Sequence, residues 1–328
     1  MAKVVRIHEQ GPPEVLTFEE MIVGDPGPGE VRIKVEAIGL NRSEAMFRAG
    51  RYPVPATLPS LIHYEGVGIV EAVGEDVTGY KEGDRVCVLP LFRLGTYGIA
   101  GEQAIVPAFA LLPAPPGLSV VEAAAIWMQY LTAFAIIEVG EAGLGDFVMI
   151  RAASSSVGLA AIQLANWAGA TSIAATRSSA KAEALKSHGA KHIIATDEVD
   201  LVAETMRISG GKGARLVFDP VGGPDVMKLA EAMAERGILF IYGGLSEQPT
   251  PYPHWSAAMK GLSIRGWVCT EITRYPHRFD RAREAILSGL ADGHLKPVIA
   301  KTFAFDDLVE AHRYLESNQQ VGKVVVTL

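Results

Sequence analysis

The sequence predicts an α/β chain of two domains: a doubly wound parallel sheet of six strands, and a β-rich domain that the chain enters twice. Three observations carry this reading. Up to about residue 120, short alternating stretches are separated by Gly and Pro, with almost no helical periodicity. From about residue 121, short strands apolar on both faces alternate with helix-length segments, the pattern of a parallel sheet with crossover helices. Finally, "GKVVVTL" is a strand that follows the last crossover and returns to the first domain. The β-rich part is therefore assigned residues 1–124 and 269–328, and the doubly wound part residues 125–268.

Taken in order, "MAKVVRIHEQ" opens as a strand and has neither the apolar core nor the cleavage site of a signal peptide. "EVRIKVEAIGL" and "GVGIVEAVG" alternate, "KEGDRVCVLP" is a turn and a strand, and "NRSEAMFRAG" supplies a turn or two of helix. "VVEAAAIWMQYLTAFAIIEVG" is a buried helix rather than a membrane span, because Glu122 and Glu138 bracket it and Gln129 interrupts it. The parallel strands follow as "FVMIRAA", "SIAAT", "HIIAT", "LVFDPVG", "ILFIYGG" and "LSIRGWV". Between them lie helices from Val157 to about Ala168, then "SSAKAEALKSHG", "DLVAETMRISGG" and "PDVMKLAEAMAERG". Right-handed crossovers make this a Rossmann domain. Residues 275–290 and "FAFDDLVEAHRYLESN" read as two further helices.

Composition narrows the partners. With 30 Lys and Arg against 37 Asp and Glu, the net charge is −7, which leaves no footprint for nucleic acid or an anionic membrane. Cys87 and Cys269 are the only cysteines, too few for a four-thiolate zinc site or a disulfide framework, so a reducing cytoplasm is expected.

The stretch "RAASSSVGLAAIQLA" sits where a strand turns into a helix, the place of a dinucleotide's pyrophosphate. Such loops favour glycine because the backbone must turn tightly and approach the ligand. Here Ser154, Ser155 and Ser156 fill the turn, Val157 follows, and Gly158 stands where the helix packs on the strand. Serine hydroxyls can cap a helix or donate to phosphate, at a strain of about 1–2 kcal/mol only where φ is positive. A merely well-capped helix is the competing reading. At the end of the next strand, after Thr176, no acid appears before Glu183, whereas Arg177, Ser178 and Lys181 are available. Cations and hydroxyls suit a ribose 2′-phosphate, so NADP(H) is the expected cofactor, against a plain solvated turn.

The stretches "GLNRSEAMFRAGRYP", "EGVGIVEAVGEDVTGYKEGDRV", "AASSSVGLAAIQLA" and "DPVGG" resemble the medium-chain dehydrogenase/reductase superfamily, and within it the zinc-free quinone oxidoreductase (ζ-crystallin-like) branch. The resemblance spans the full chain and implies a GroES-like catalytic domain beside the Rossmann domain. It further implies an NADP(H) oxidoreductase that moves hydride to a quinone or α,β-unsaturated carbonyl, and a homodimer joined through the sixth strand. Ser155 and Ser156 replace two glycines of the family's loop. Where the zinc enzymes carry a cysteine and a Gly-His-Glu motif, this chain reads Asn41-Arg42-Ser43 and His63-Tyr64-Glu65, so no metal is expected. Glu65 is read as a brace.

The same resemblance implies that Asn41 and Tyr52 serve the nicotinamide end, with Tyr64 where the zinc histidine would be. It adds Thr132, Val221, Tyr242, Gly243, Gly244 and Lys323 as cofactor contacts. Phe92, Tyr97, Trp127, Trp255 and Trp267 are candidates for pocket or core, and the remaining histidines, His312 among them, are read as surface residues. Two other readings stay open: a metal-free alcohol dehydrogenase or aldehyde reductase, and a catalytically weak NADPH-binding protein. The acceptor is a small molecule in either enzymatic case.

Overall fold

A computed structural model describes all 328 residues, and the chain divides into two compact units. Residues 1–128 with 297–328 form one; residues 129–296 form the other.

The second unit centres on a parallel sheet in the order His192–Ala195, Thr171–Thr176, Phe147–Ile150, Ala214–Asp219, Met233–Ile241, Ser263–Gly266. In chain order this is 3-2-1-4-5-6, the doubly wound arrangement. Val148, Met149 and Ile150 are fully buried, as a strand covered on both faces requires. Because the strands are parallel, the loops that follow them lie along one edge of the sheet. The switch in strand order falls between Phe147–Ile150 and Ala214–Asp219, so residues 151–155 and 220–223 flank it. No helix is long and apolar enough to cross a membrane.

Several expectations change. The helix expected in "PDVMKLAEAMAERG" covers only Val226–Glu231, and Met233 instead begins a nine-residue strand. Met233 is buried in a cluster with Met149, Val217 and Leu239, and that burial outweighs the helical periodicity. The apolar stretch after Ser119 forms three short helices, Val120–Ala123, Trp127–Ala133 and Ala135–Glu138, rather than one. Residues 269–296, expected with the β-rich part, belong to the second unit. Helix Pro276–Ala291 is held there by Arg278 and Arg281, which both bond the Glu138 carboxylate, at 2.8 and 2.7 Å.

The first unit holds a seven-stranded sheet in which Lys323–Thr327 pairs antiparallel with Glu30–Gly39, which pairs antiparallel with Gly66–Val73. Alternation in "EVRIKVEAIG" puts Val31, Ile33 and Val35 into the core, each contributing about 1.5–3 kcal/mol of burial. The register sets Gly39 opposite Val325, and Ile38 opposite Gly66. The strand Ile299–Ala304, which the sequence reading assigned in part to a helix, forms the edge beside Lys323–Thr327.

Candidate active site

In the second unit, the serine turn builds a well-formed helix start. Ser155 is the N-cap, at φ −71°, and its hydroxyl accepts the Gly158 N–H at 3.0 Å. None of the three serines takes a positive φ; Ala152 does, at 46°. The strain the sequence reading feared at the serines therefore sits one turn earlier. A Cβ on Gly158 would lie 2.7 Å from the Ala152 and Ala153 carbonyl oxygens, so the helix can pack this closely only with glycine there. Ser156 and Val157 are the first two residues of helix Ser156–Trp167, with N–H groups at its positive end.

The neighbouring loops close around the same sheet edge. Asp219 accepts the Val221 and Gly222 N–H groups at 2.9 and 3.0 Å, shaping the "DPVGG" turn. Burial pushes the Asp219 carboxyl up, and Arg151 opposes that shift. The turn after the fifth strand docks on it through Leu245 N–H to Pro220 O and Ser246 N–H to Val221 O. Gly243 lies where a Cβ would meet Pro220 O at 2.6 Å, and Gly244 is exposed beside it. Tyr242 stacks on Phe218 with ring centroids 4.0 Å apart, and its buried hydroxyl faces Ser155. Thr132 is placed in helix Trp127–Ala133, its carbonyl receiving the Trp267 indole N–H at 2.8 Å.

At the end of Thr171–Thr176, Arg177 and Ser178 are exposed, while Lys181 donates to Ser154 Oγ at 3.0 Å. Burial and then the Arg177 charge lower the Lys181 pKa. Two cations that disfavour each other thus stand beside the serine turn. Glu198 reaches the same turn but is held by the Ser179 N–H and hydroxyl, at 2.8 and 3.1 Å.

The first unit holds a buried polar cluster of its own. Asn41 follows one strand, Glu65 precedes the next and Lys323 opens the third, so the strand register brings the three together. Lys323 donates to Glu65 at 2.5 Å and to Asn41 Oδ1 at 2.6 Å, and both ends of the ion pair are 1% exposed. Asn41 Nδ2 donates to Glu65 at 3.0 Å and to the Gly39 carbonyl at 3.1 Å. Glu65 also accepts the Met128 N–H at 2.8 Å, tying the end of the strand to helix Trp127–Ala133. Lys323, expected to reach the cofactor, is spent inside this cluster. Removing one partner of such a pair costs about 3–5 kcal/mol.

Next to it runs a file of buried side chains that the sequence reading did not assemble. Glu44, at the third position of helix Arg42–Arg48, returns its carboxylate to the Asn41 N–H at 2.7 Å. Its other oxygen lies 3.4 Å from the Tyr64 N–H. His63 Nδ1 is 2.8 Å from Glu44, His63 Nε2 is 3.1 Å from His312 Nε2, and His312 Nδ1 is 2.8 Å from Arg48. Arg48 ends on Glu316 at 2.7 Å. His312 is thus fully buried, not a surface residue. A signal was present: Leu308, Ala311, His312 and Leu315 share the apolar face of one helix. His63 adopts φ 70°, a conformation that costs about 1–2 kcal/mol for a residue with a Cβ.

Tyr64 is buried, with its hydroxyl 2.8 Å from Ser43 Oγ and its ring edge-on to Phe92, which in turn meets Tyr97. Tyr52 is half-buried in the loop after helix Arg42–Arg48. Trp127 and Trp267 are core, whereas Trp255 is 75% exposed.

The residues do not suit zinc. No group of three or more His, Cys, Asp or Glu converges as a ligand set. His63 is turned to Glu44 and His312, and the buried Cys87 thiol donates to the Ala123 carbonyl at 3.5 Å. The residues of the second unit do suit a dinucleotide: a capped helix start and a cation pair stand along one sheet edge, where glycine keeps the backbone open at Gly158 and Gly243.

Residues 27–116 match the alcohol dehydrogenase GroES-like domain family, and residues 156–287 match the zinc-binding dehydrogenase family. A 2-haloacrylate reductase from a Burkholderia species is 30% identical over 338 residues, covering 99% of both chains. A quinone oxidoreductase of Pseudomonas aeruginosa is 30% identical over 328 residues, again covering 99% of both. Among solved structures, Escherichia coli quinone oxidoreductase complexed with NADPH superposes with TM-score 0.90 at 28% identity over the whole of both chains. A structure titled NAD-dependent alcohol dehydrogenase gives TM-score 0.89 at 31% identity, over 99% of both.

Proposed function

The chain belongs to the medium-chain dehydrogenase/reductase superfamily, in its quinone oxidoreductase branch, and from that premise we propose an NADPH-dependent, zinc-independent reductase of quinones or α,β-unsaturated carbonyls. The observation that carries the cofactor choice is the Arg177–Lys181 pair at the end of the second strand, two cations where an NAD site places a carboxylate. Arg177 offers a fork to a phosphate, and Ser178 and Lys181 add a hydroxyl and a point charge. Ser154, Ser155, Ser156, Val157 and Gly158 hold the pyrophosphate, with Thr132, Thr176, Val221, Tyr242, Gly243 and Gly244 lining the rest of the cofactor.

When bound, NADPH supplies the hydride. The residues of the chain orient the partners and stabilise charge on the acceptor oxygen. Without a metal to carry that charge, acceptors that delocalise it are favoured, which is the case for quinones and enones. The haloacrylate reductase among the relatives supports an activated alkene. Asn41, whose carbonyl oxygen can accept from the nicotinamide ribose, and Tyr52 and Tyr64, with phenolic donors for the acceptor oxygen, are assigned to the reacting end. The 2.8 Å contact to Ser43 orients the Tyr64 hydroxyl. Two copies pair through the exposed edge of strand Ser263–Gly266, and two free cysteines suit a reducing compartment such as the cytoplasm.

A metal-free alcohol dehydrogenase or aldehyde reductase is the second reading, favoured by the NAD-dependent structural relative. Initial rates of NADPH and NADH oxidation with a panel of quinones, enals and saturated aldehydes test the choice. Turnover of quinones or enals with a preference for NADPH is expected. Turnover confined to saturated aldehydes, or a preference for NADH, favours the second reading. Tight NADPH binding with no turnover of any acceptor favours a binding protein.

A further inference from the structure

His63 is the oddest residue of the first unit. It is fully buried, it takes φ 70°, and it occupies the place where the related zinc enzymes have the glycine of Gly-His-Glu. A glycine would fit that backbone without strain, so the imidazole is there for its contacts. Those contacts fix the protons along the whole file. Arg48 has only donors, so His312 Nδ1 accepts from it, and a neutral His312 carries its proton on Nε2. That proton is donated to His63 Nε2, which leaves the His63 proton on Nδ1, donated to Glu44. Burial lowers the His312 pKa, in keeping with the neutral ring.

The hydrogen bonds from Arg48 through His312 and His63 thus all point toward the Glu44 carboxylate, while Arg48 also donates to Glu316 at the far end. Glu44 in turn receives the Asn41 N–H and the Tyr64 N–H, and its second oxygen lies 3.4 Å from Asn41 Nδ2. We propose that His63 and His312 are positioning residues: they aim Glu44 at Asn41 and Tyr64 and so fix the groups that face the acceptor. The proposal rests on the functional reading for its kinetic consequence and on geometry alone for the positioning itself.

Two variants keep the backbone comfortable. His63→Gly removes the imidazole at a φ that glycine favours, and His63→Asn restores a short donor toward Glu44 in a residue that tolerates the same φ. Steady-state NADPH oxidation with a benzoquinone is measured beside nitrogen-15 NMR of the substrate-free protein. In the wild type the imidazole nitrogens are expected to show the proton on Nδ1 of His63 and on Nε2 of His312. His63→Gly is expected to lower kcat by about tenfold while KM for NADPH stays within about twofold, since a small misplacement near the chemistry suffices for such a loss. It also shifts the Asn41 side-chain amide and Tyr64 backbone signals, leaves the amides of residues 129–296 in place, and is largely reversed by His63→Asn.

Opposite tautomers, or unchanged Asn41 and Tyr64 signals in His63→Gly, overturn the proposal. A kcat loss matched by an equal rise in KM and not rescued by asparagine overturns it too. If the wild type reduces no quinone, the functional reading fails, and the tautomers and the two sets of amide signals decide the positioning on their own.

Discussion

At the scale of single residues, charge decides the cofactor and burial decides the pH response. Arg177→Ala removes one charged fork, a contact worth about 1.5–3 kcal/mol. The Kd for NADPH is then expected to rise about tenfold or more by fluorescence titration, with NADH nearly unaffected. Equal losses for both cofactors would mean that Arg177 supports the turn instead.

His312 governs a second effect. It faces Arg48 and His63, with Glu44 and Glu316 at the two ends of the file, and its folded pKa lies well below the ordinary 6.5. Below pH of about 6.5 the unfolded chain binds a proton that the native state refuses, so stability falls as pH falls, by about 1.4 kcal/mol per unit at most. Urea unfolding between pH 7.5 and 5.5 should show a shallower loss in His312→Gln than in the wild type; equal slopes would contradict this. The positions of Arg177 and Asn41 were legible in the sequence because each follows the end of a strand that apolar or alternating residues mark. His312 was not, because only the partners folded around it make a buried imidazole tolerable.

At the scale of elements, the serine turn and the strand ends carry the site. Replacing Ser155 and Ser156 by glycine removes the hydroxyl that caps Gly158, yet glycine is itself an acceptable N-cap, at a cost of a few tenths of a kcal/mol. Calorimetry of NADPH binding to this double variant should find an affinity within about tenfold of the wild type. A gain of a hundredfold or more, about 2.7 kcal/mol, would mean that the native turn is held away from the cofactor. Ala152→Gly acts where the strain actually lies. Relief of about 1–2 kcal/mol, less about 0.5–1 kcal/mol of added chain entropy, should leave the protein slightly more stable in urea. The six parallel strands were readable because apolar runs between turn residues mark them. The strand start at Met233 was hidden because "AEAMAERG" is good helix sequence, and only packing against Met149 and Val217 overrules it.

At the scale of the whole molecule, length and alternation of texture were enough for the architecture, while the chain returns to the first unit at residue 297 rather than 269. The ion pairs from Arg278 and Arg281 to Glu138 span about 140 residues of sequence, which no local pattern reports. Pairing through strand Ser263–Gly266 is expected to give a sedimentation mass twice the 35.0 kDa of the chain, and a mass of one chain would contradict it. The central claim is NADPH chemistry without a metal, in a chain whose His63 is committed to Glu44 and His312. Its most direct test is NADPH oxidation by a quinone or enal, measured before and after exhaustive dialysis against a chelator, with the zinc content of each sample determined. Undiminished turnover by protein with no stoichiometric zinc is the expected result. One tightly held zinc per chain, lost together with the activity and restored with it, would contradict the claim.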